Sequence, residues 1–149
     1  TGTAVGGGTL MGLGRLLTGE EEFDAIVALA AAGDRAGVDV LVRDIYGGDM
    51  SLLAGDVTAA NFGLVTSRRR EDLARALMQL LGEVVAVVSS LAAQNVGARQ
   101  VVYIGGALRH NPVLVEVLAA ITRFMQQEPR FLQHGEFAGA IGALLLEDA

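Results

Sequence analysis

The sequence predicts a helix-rich α/β fold whose sheet is too small for its helices. Three observations predict it. The stretch from "RQVVYIGG" to "PRFLQ", residues 99–133, reads as strand, helix, strand, the βαβ order that implies parallel pairing. Six helical segments and at least two strands can be placed, and the apparent sheet is small for so many helices. The chain has 149 residues, 52% of them hydrophobic, which suits one domain with an ample core and excludes disorder.

The first helix starts at the glycine run in "TGTAVGGGTLMGLGRLL" and covers residues 9–17. "TGEEEF" then places Thr18 three residues before Glu21, a capping-box spacing, ahead of a helix through "FDAIVALAAA" that stops at Gly33. Asp34 caps the next helix, in which Val38, Leu41, Val42 and Ile45 fall at i, i+3, i+4 and i+7. Gly47 and Gly48 end it. "DMSLLAGDVTAANFG" is less regular, with Asp56 or Thr58 as cap for a short helix. "SRRREDLARAL" opens a long helix over Arg70–Asn95, about 39 Å at ~1.5 Å per residue and apolar on more than one face. "RQVVYIGG" is a short buried strand ending in glycines. "HNPVLVEVLAAITRFM" is a helix with Asn111 as N-cap and Pro112 in the first position. "PRFLQ" gives the second strand and "EFAGAIGALLLE" a closing helix.

Charge and composition exclude several functions. The net charge is −6, so there is no basic face for nucleic acid or an anionic membrane. All eleven basic residues are Arg, and lysine chemistry must come from elsewhere. The absence of cysteine removes disulfides, thiolate metal sites and cysteine nucleophiles. His110 and His134 are the only histidines, too few for an ordinary zinc site. "ALMQLLGEVVAVVSSLAAQNV" is the most apolar stretch, but Gln79, Glu83 and two serines suit a buried or interface helix better than a membrane span.

Two glycine junctions carry the chemistry. A helix start exposes unpaired N–H groups and a partial positive charge, and glycine lets the main chain approach an anion closely. "GGGTLMG" (Gly6, Gly7, Gly8, Thr9, Leu10, Met11) can therefore cradle a phosphate, Thr9 adding a hydroxyl. At "VVYIGGALRHNP" a buried strand turns at Gly105 and Gly106, where a flat group can lie against bare backbone. The competing reading of each is a turn or a close packing site. Neither has the spacing of a Rossmann or P-loop motif.

The segments "GGGTLMGLGRLLTG", "GDRAGVDVLVRDIYGGD", "GDVTAANFG", "VVYIGGALRHNPVL" and "GEFAGAIGALLLE", in that order, resemble the C-terminal part of type II (eukaryotic-like) pantothenate kinases over nearly the whole chain. "RDIYGGD" is closer to the animal enzymes and "GDVTAANFG" to the bacterial ones. The resemblance implies the helix-rich C-terminal lobe of an actin-like ATPase (ribonuclease H-like) fold, residues 1–149 forming one lobe with its sheet incomplete. It implies ATP- and Mg²⁺-dependent phosphorylation of pantothenate, the first step of coenzyme A synthesis, in a cytoplasmic homodimer joined through the long helix. Coenzyme A or an acyl-coenzyme A is a candidate feedback ligand.

Residue by residue, the resemblance puts Gly7, Gly8, Thr9, Leu10 and Met11 along the nucleotide. It puts Phe23 near the adenine and Gly106 in the adenosine-side loop. Thr58, Ala59 and Ala60 fall beside the pantothenate pocket, and Ile121 and Met125 where the helix caps the partner subunit's pocket. The family's first phosphate loop, its catalytic acid and a second glycine-threonine loop have no counterpart in this sequence. The chain is therefore expected to be a fragment, a truncated form or a separately encoded piece, inactive alone, its start at Thr1 falling just after strands the sheet needs.

Plainer readings stand beside these. Phe23 shares an amphipathic face with Ile26, Val27 and Ala30 and reads equally as core. Tyr46 reads as core or pocket wall, Asp56 and Thr58 as a turn and cap, Glu83 as an Arg partner, "RRRE" as a solvated helix start, and His134 as a turn residue. Two rival functions remain: a kinase of another small hydroxylated substrate in the same superfold, and a non-catalytic dimerisation or regulatory module. A phosphate-loop strand and an acidic residue encoded upstream of Thr1 would favour a kinase, and a true start codon there the module.

Overall fold

The computed structural model describes residues 3–47 and 54–147. It is helix-rich α/β with two small sheets of two strands each among the described residues. The chain divides into two compact units, Met11–Leu80 and the combination of Thr1–Leu10 with Leu81–Ala149. Helices α1 (Gly7–Thr18) and α4 (Arg70–Asn95) each contribute residues to both.

In the Met11–Leu80 unit, α2 (Phe23–Ala32) buries Ile26, Val27 and Ala30 and ends at Gly33. A Cβ on Gly33 would collide with the Glu71 carbonyl, so only glycine lets α2 end against the first turn of α4. The predicted capping box at Thr18 does not form. Thr18 is buried in the last turn of α1, where its hydroxyl donates to the Gly14 carbonyl at 2.7 Å. Glu22 takes the N-cap position of α2 without a side-chain cap. Arg70 donates to the Thr18 carbonyl and pairs with Glu20 at 2.8 Å, placing a cation at the C-terminal end of α1.

The helix expected from Asp34 to Gly47 is three elements instead. Asp34 caps only a 3-10 turn (Arg35–Gly37), its carboxylate accepting from the Ala36 amide at 2.9 Å. Val40–Leu41 forms β1, and Val42–Tyr46 a short helix, α3, closed by Gly47 in the left-handed region. The helix expected after Asp56 is also absent. Thr58–Ala60 is β2, antiparallel to β1 with a register shift between Val40 and Leu41. The buried Val38, Leu41 and Val42 satisfy the apolar pattern, but β-branched residues and an inward-facing Asp39 favour extended backbone here. Tyr46 is exposed rather than core. Gly48 and the following residues to 53 lie outside the described residues.

The start of α4 is braced from within the same unit. The Asp72 carboxylate accepts from the Asp34 amide at 2.9 Å and from the Ser67 hydroxyl at 2.5 Å. These bonds, with the Arg69 charge adding to them and burial opposing them, hold the carboxyl below its ordinary pKa. Further along, α4 is long and apolar enough to cross a membrane by length and composition, yet half of that stretch is buried within the fold.

In the second unit, β3 (Gln100–Tyr103) and β4 (Glu128–Phe131) pair in parallel, joined by α5 (Pro112–Phe124), as the sequence pattern predicts. One face of β3 buries Val101 and Tyr103; the other exposes Val102, with Ile104 beyond it. A Cβ on Gly82 would run into the Val117 side chain, so α4 and α5 cross closely at a glycine. The closing helix is α6 (Ala138–Glu147), preceded by a 3-10 turn at Gly135–Phe137. His134 occupies a left-handed turn ahead of it, as expected. Ile141, Leu144, Leu145 and Leu146 of α6 are at least half exposed.

Candidate functional site

The two glycine junctions border one cavity of about 320 Å³, formed within the unit that joins residues 1–10 to 81–149. Val5, Gly6, Gly7 and Leu10 line one side of it, and the turn from Ile104 to Leu108 another. Leu81 and Val85 of α4 and Leu114 and Leu118 of α5 add apolar walls, with Tyr103 beside them.

Each junction has a local cause. At the first, the Thr9 hydroxyl donates to the Ala4 carbonyl at 3.2 Å and accepts from the Gly6 amide at 3.4 Å. Ala4 is in the left-handed region, so the chain bends into α1 just ahead of the glycines. The amides of Gly7 and Gly8 are in the first turn, where a helix offers them no internal acceptor. At the second junction Gly105 has φ 118° and ψ 160°, a conformation reserved for glycine, and its amide donates to the Gly135 carbonyl at 3.2 Å. The 3-10 turn Gly106–Leu108 follows, and Asn111 fastens it to α5. Its side chain accepts from the Leu114 amide at 3.1 Å and donates to the Ala107 carbonyl at 3.0 Å.

The fold does not need glycine at every one of these positions. A Cβ built on Gly6, Gly8 or Gly106 meets nothing within 4 Å, and one on Gly7 makes ordinary contact with Ala107 Cβ at 3.7 Å. Neither close packing nor positive φ requires glycine there. Bare main chain facing open space suits the approach of a flat or anionic ligand.

Tyr103 stiffens the cavity. Its hydroxyl shares hydrogen bonds with Thr122 at 2.6 Å and Ser89 at 3.3 Å, and its ring stacks on Phe131 at 5.5 Å. These contacts tie α4, β3, β4 and α5 together around a polar group that is otherwise buried.

The predicted site residues separate into groups. Gly6, Gly7, Leu10, Gly105 and Gly106 line the cavity. Gly8 and Thr9 follow in the same first turn of α1, though the cavity is not lined by them. Met11, Phe23, Thr58, Ala59 and Ala60 belong to the other unit, where Phe23 is half-buried at the start of α2. Ile121 lies in the last turns of α5 and Met125 is its C-cap, both partly buried. Arg109 and His110 are exposed. The described residues hold no cluster of three His, Asp or Glu side chains arranged for a metal ion.

Sequence reasoning missed one feature. Asp39 is fully buried and pairs with Arg35 at 3.4 Å, one helical turn apart. The i,i+4 spacing was visible, but in an expected helix it reads as an ordinary surface pair.

Comparison with known proteins places these features in a family. Residues 1–146 match the family model described as Fumble. The chain is 44% identical over 147 residues to a type II pantothenate kinase of Oceanobacillus iheyensis, covering 97% of this chain and 56% of that protein. It is 38% identical over 148 residues to type II pantothenate kinases of Bacillus cereus and Bacillus anthracis, covering 97% of this chain and 54% of each. It thus spans about half the length of the curated relatives it matches. With the family model covering all but the last three residues, the chain belongs to the Fumble family.

Proposed function

We propose that this chain is the nucleotide-side part of a type II pantothenate kinase, which transfers the γ-phosphate of ATP to the hydroxyl of pantothenate. The observation that carries the reading is the pair of bare glycine junctions bordering one apolar cavity. The relatives, which are type II pantothenate kinases, supply the substrate.

Within this reading the lobe has an actin-like ATPase fold. The Gly7 and Gly8 amides and the N-terminal end of the twelve-residue α1 stabilise phosphate charge. Thr9 keeps the loop before α1 bent, and Leu10 and Met11 continue along the nucleotide. Gly105 and Gly106 take the adenosine side, with Phe23 near the base. The apolar walls exclude water, which strengthens every charge interaction inside. Such transfer depends chiefly on positioning and charge neutralisation. Mg²⁺ supplies part of that neutralisation in kinases of this kind, where one or two carboxylates and the substrate phosphates hold it; the described residues contain no cluster of three such side chains.

Thr58, Ala59 and Ala60 flank the pantothenate pocket, and Ile121 and Met125 cap that of a partner subunit. The enzyme works as a cytoplasmic homodimer through α4, with no membrane or nucleic-acid partner and with coenzyme A or an acyl-coenzyme A as feedback ligand. The deciding experiment offers the intact gene product ATP, Mg²⁺ and a panel of small hydroxylated substrates. ATP-dependent phosphorylation of pantothenate is expected. Turnover of another alcohol with none of pantothenate would reject the substrate, and no turnover of any would favour a non-catalytic module.

A further inference from the structure

We infer that the Arg35–Asp39 ion pair is a positioning clasp that holds Thr58–Ala60 at both ends; its bearing on substrate rests on the reading of that segment as the pantothenate side. The pair and the segment lie in one unit, so the geometry is internal to it.

At the leading end, the Arg35 guanidinium donates to the Thr58 hydroxyl at 2.9 Å and to the Asp56 carbonyl. At the trailing end, Asp39 Oδ1 accepts from the Phe62 amide at 2.9 Å, while its Oδ2 takes Arg35 at 3.4 Å. Phe62 has φ 54°, a left-handed conformation that a bulky residue adopts only when its surroundings impose it. The Asp39 carboxylate supplies that restraint. Between the two anchors β2 is only three residues long, and two of them, Ala59 and Ala60, have no polar side chain to fix themselves.

The base of the clasp is itself fixed. Arg35 starts the 3-10 turn capped by Asp34, whose amide donates to Asp72 in the first turn of α4. The Arg35 side chain is 16% exposed and that of Asp39 fully buried, so the charges act on each other with little solvent screening. Burial of a paired arginine fork is costly unless its donors are satisfied, and the substrate-side turn satisfies them. Arg35 acts through Thr58 and the turn, so it is a positioning residue.

The test uses the intact gene product. Arg35→Lys keeps the charge but loses the fork that reaches Thr58 and Asp56 together. It is expected to raise KM for pantothenate about tenfold while leaving KM for ATP unchanged, the size of one charged hydrogen bond. On a Thr58→Val background the same change should add much less, because the two residues act as one unit. Hydrogen exchange at the Phe62 amide should quicken in Arg35→Lys, with α2 unaffected. Asp39→Asn would strip a buried arginine of its counter-charge and threaten the fold, so Arg35→Lys, which retains the charge, is the variant of choice. A folded Arg35→Lys enzyme with an unchanged pantothenate KM, or equal rises for both substrates, would overturn the inference alone. A wild-type enzyme that leaves pantothenate untouched would overturn the functional reading, and the link to substrate with it.

Discussion

At Gly8 the demands of folding and of binding come apart. The position lies in the first turn of α1 with nothing within 4 Å of where a Cβ would sit. Alanine there should leave stability unchanged or raise it by up to about 1 kcal/mol, because glycine is the poorer helix former. If a phosphate lies against this amide, the same methyl should raise KM for ATP by about tenfold through a lost charge-assisted hydrogen bond. Urea denaturation and ATP titration of Gly8→Ala measure the two effects separately. A variant that is equally stable and binds ATP normally would remove the first junction from the nucleotide site. Gly33 and Gly82 are the opposite kind of glycine, since backbone or a β-branched side chain fills the space a Cβ would take.

Among the elements, α5 starts on a single buried side chain. Asn111 is 1% exposed and caps the helix while holding the preceding turn through the Ala107 carbonyl. Asn111→Ala should cost about 1–2 kcal/mol in chemical denaturation and loosen the Gly105–Gly106 turn. A cost near zero would mean that the turn is held by backbone alone. This cap was legible in the sequence, because Asn-Pro before an apolar run is a local signal. So were α4, α5 and the parallel β3–β4 pair, whose patterns are long or flanked by glycines. Residues 34–63 were not. Their strands are two and three residues long, and their pairing joins Val40 to Ala60, far apart along the chain. The apolar spacing of Val38, Leu41 and Val42 fits a helix as well as the turn, strand and short helix that form. Of the candidate site, glycine placement was readable locally. The Asp39 clasp was not, because only tertiary structure turns that carboxylate inward.

For the molecule as a whole, the outward apolar residues of the long helix are where the proposed subunit contact can be tested. On α4, Val87 and Leu91 are one turn apart and exposed, within the helix proposed to join two subunits. Leu91→Glu in the intact gene product should shift sedimentation from dimer to monomer while preserving the helix content seen by circular dichroism. A dimer indifferent to this change would move the subunit contact off this face of α4. Tyr103 has a separate practical consequence. The chain has no tryptophan and two tyrosines, one exposed at Tyr46 and the other in the cavity wall with its hydroxyl already engaged. In a Tyr46→Phe background the tyrosine emission of this segment would come from Tyr103 alone, and a nucleotide entering beside it would announce itself as quenching, with no added dye or label.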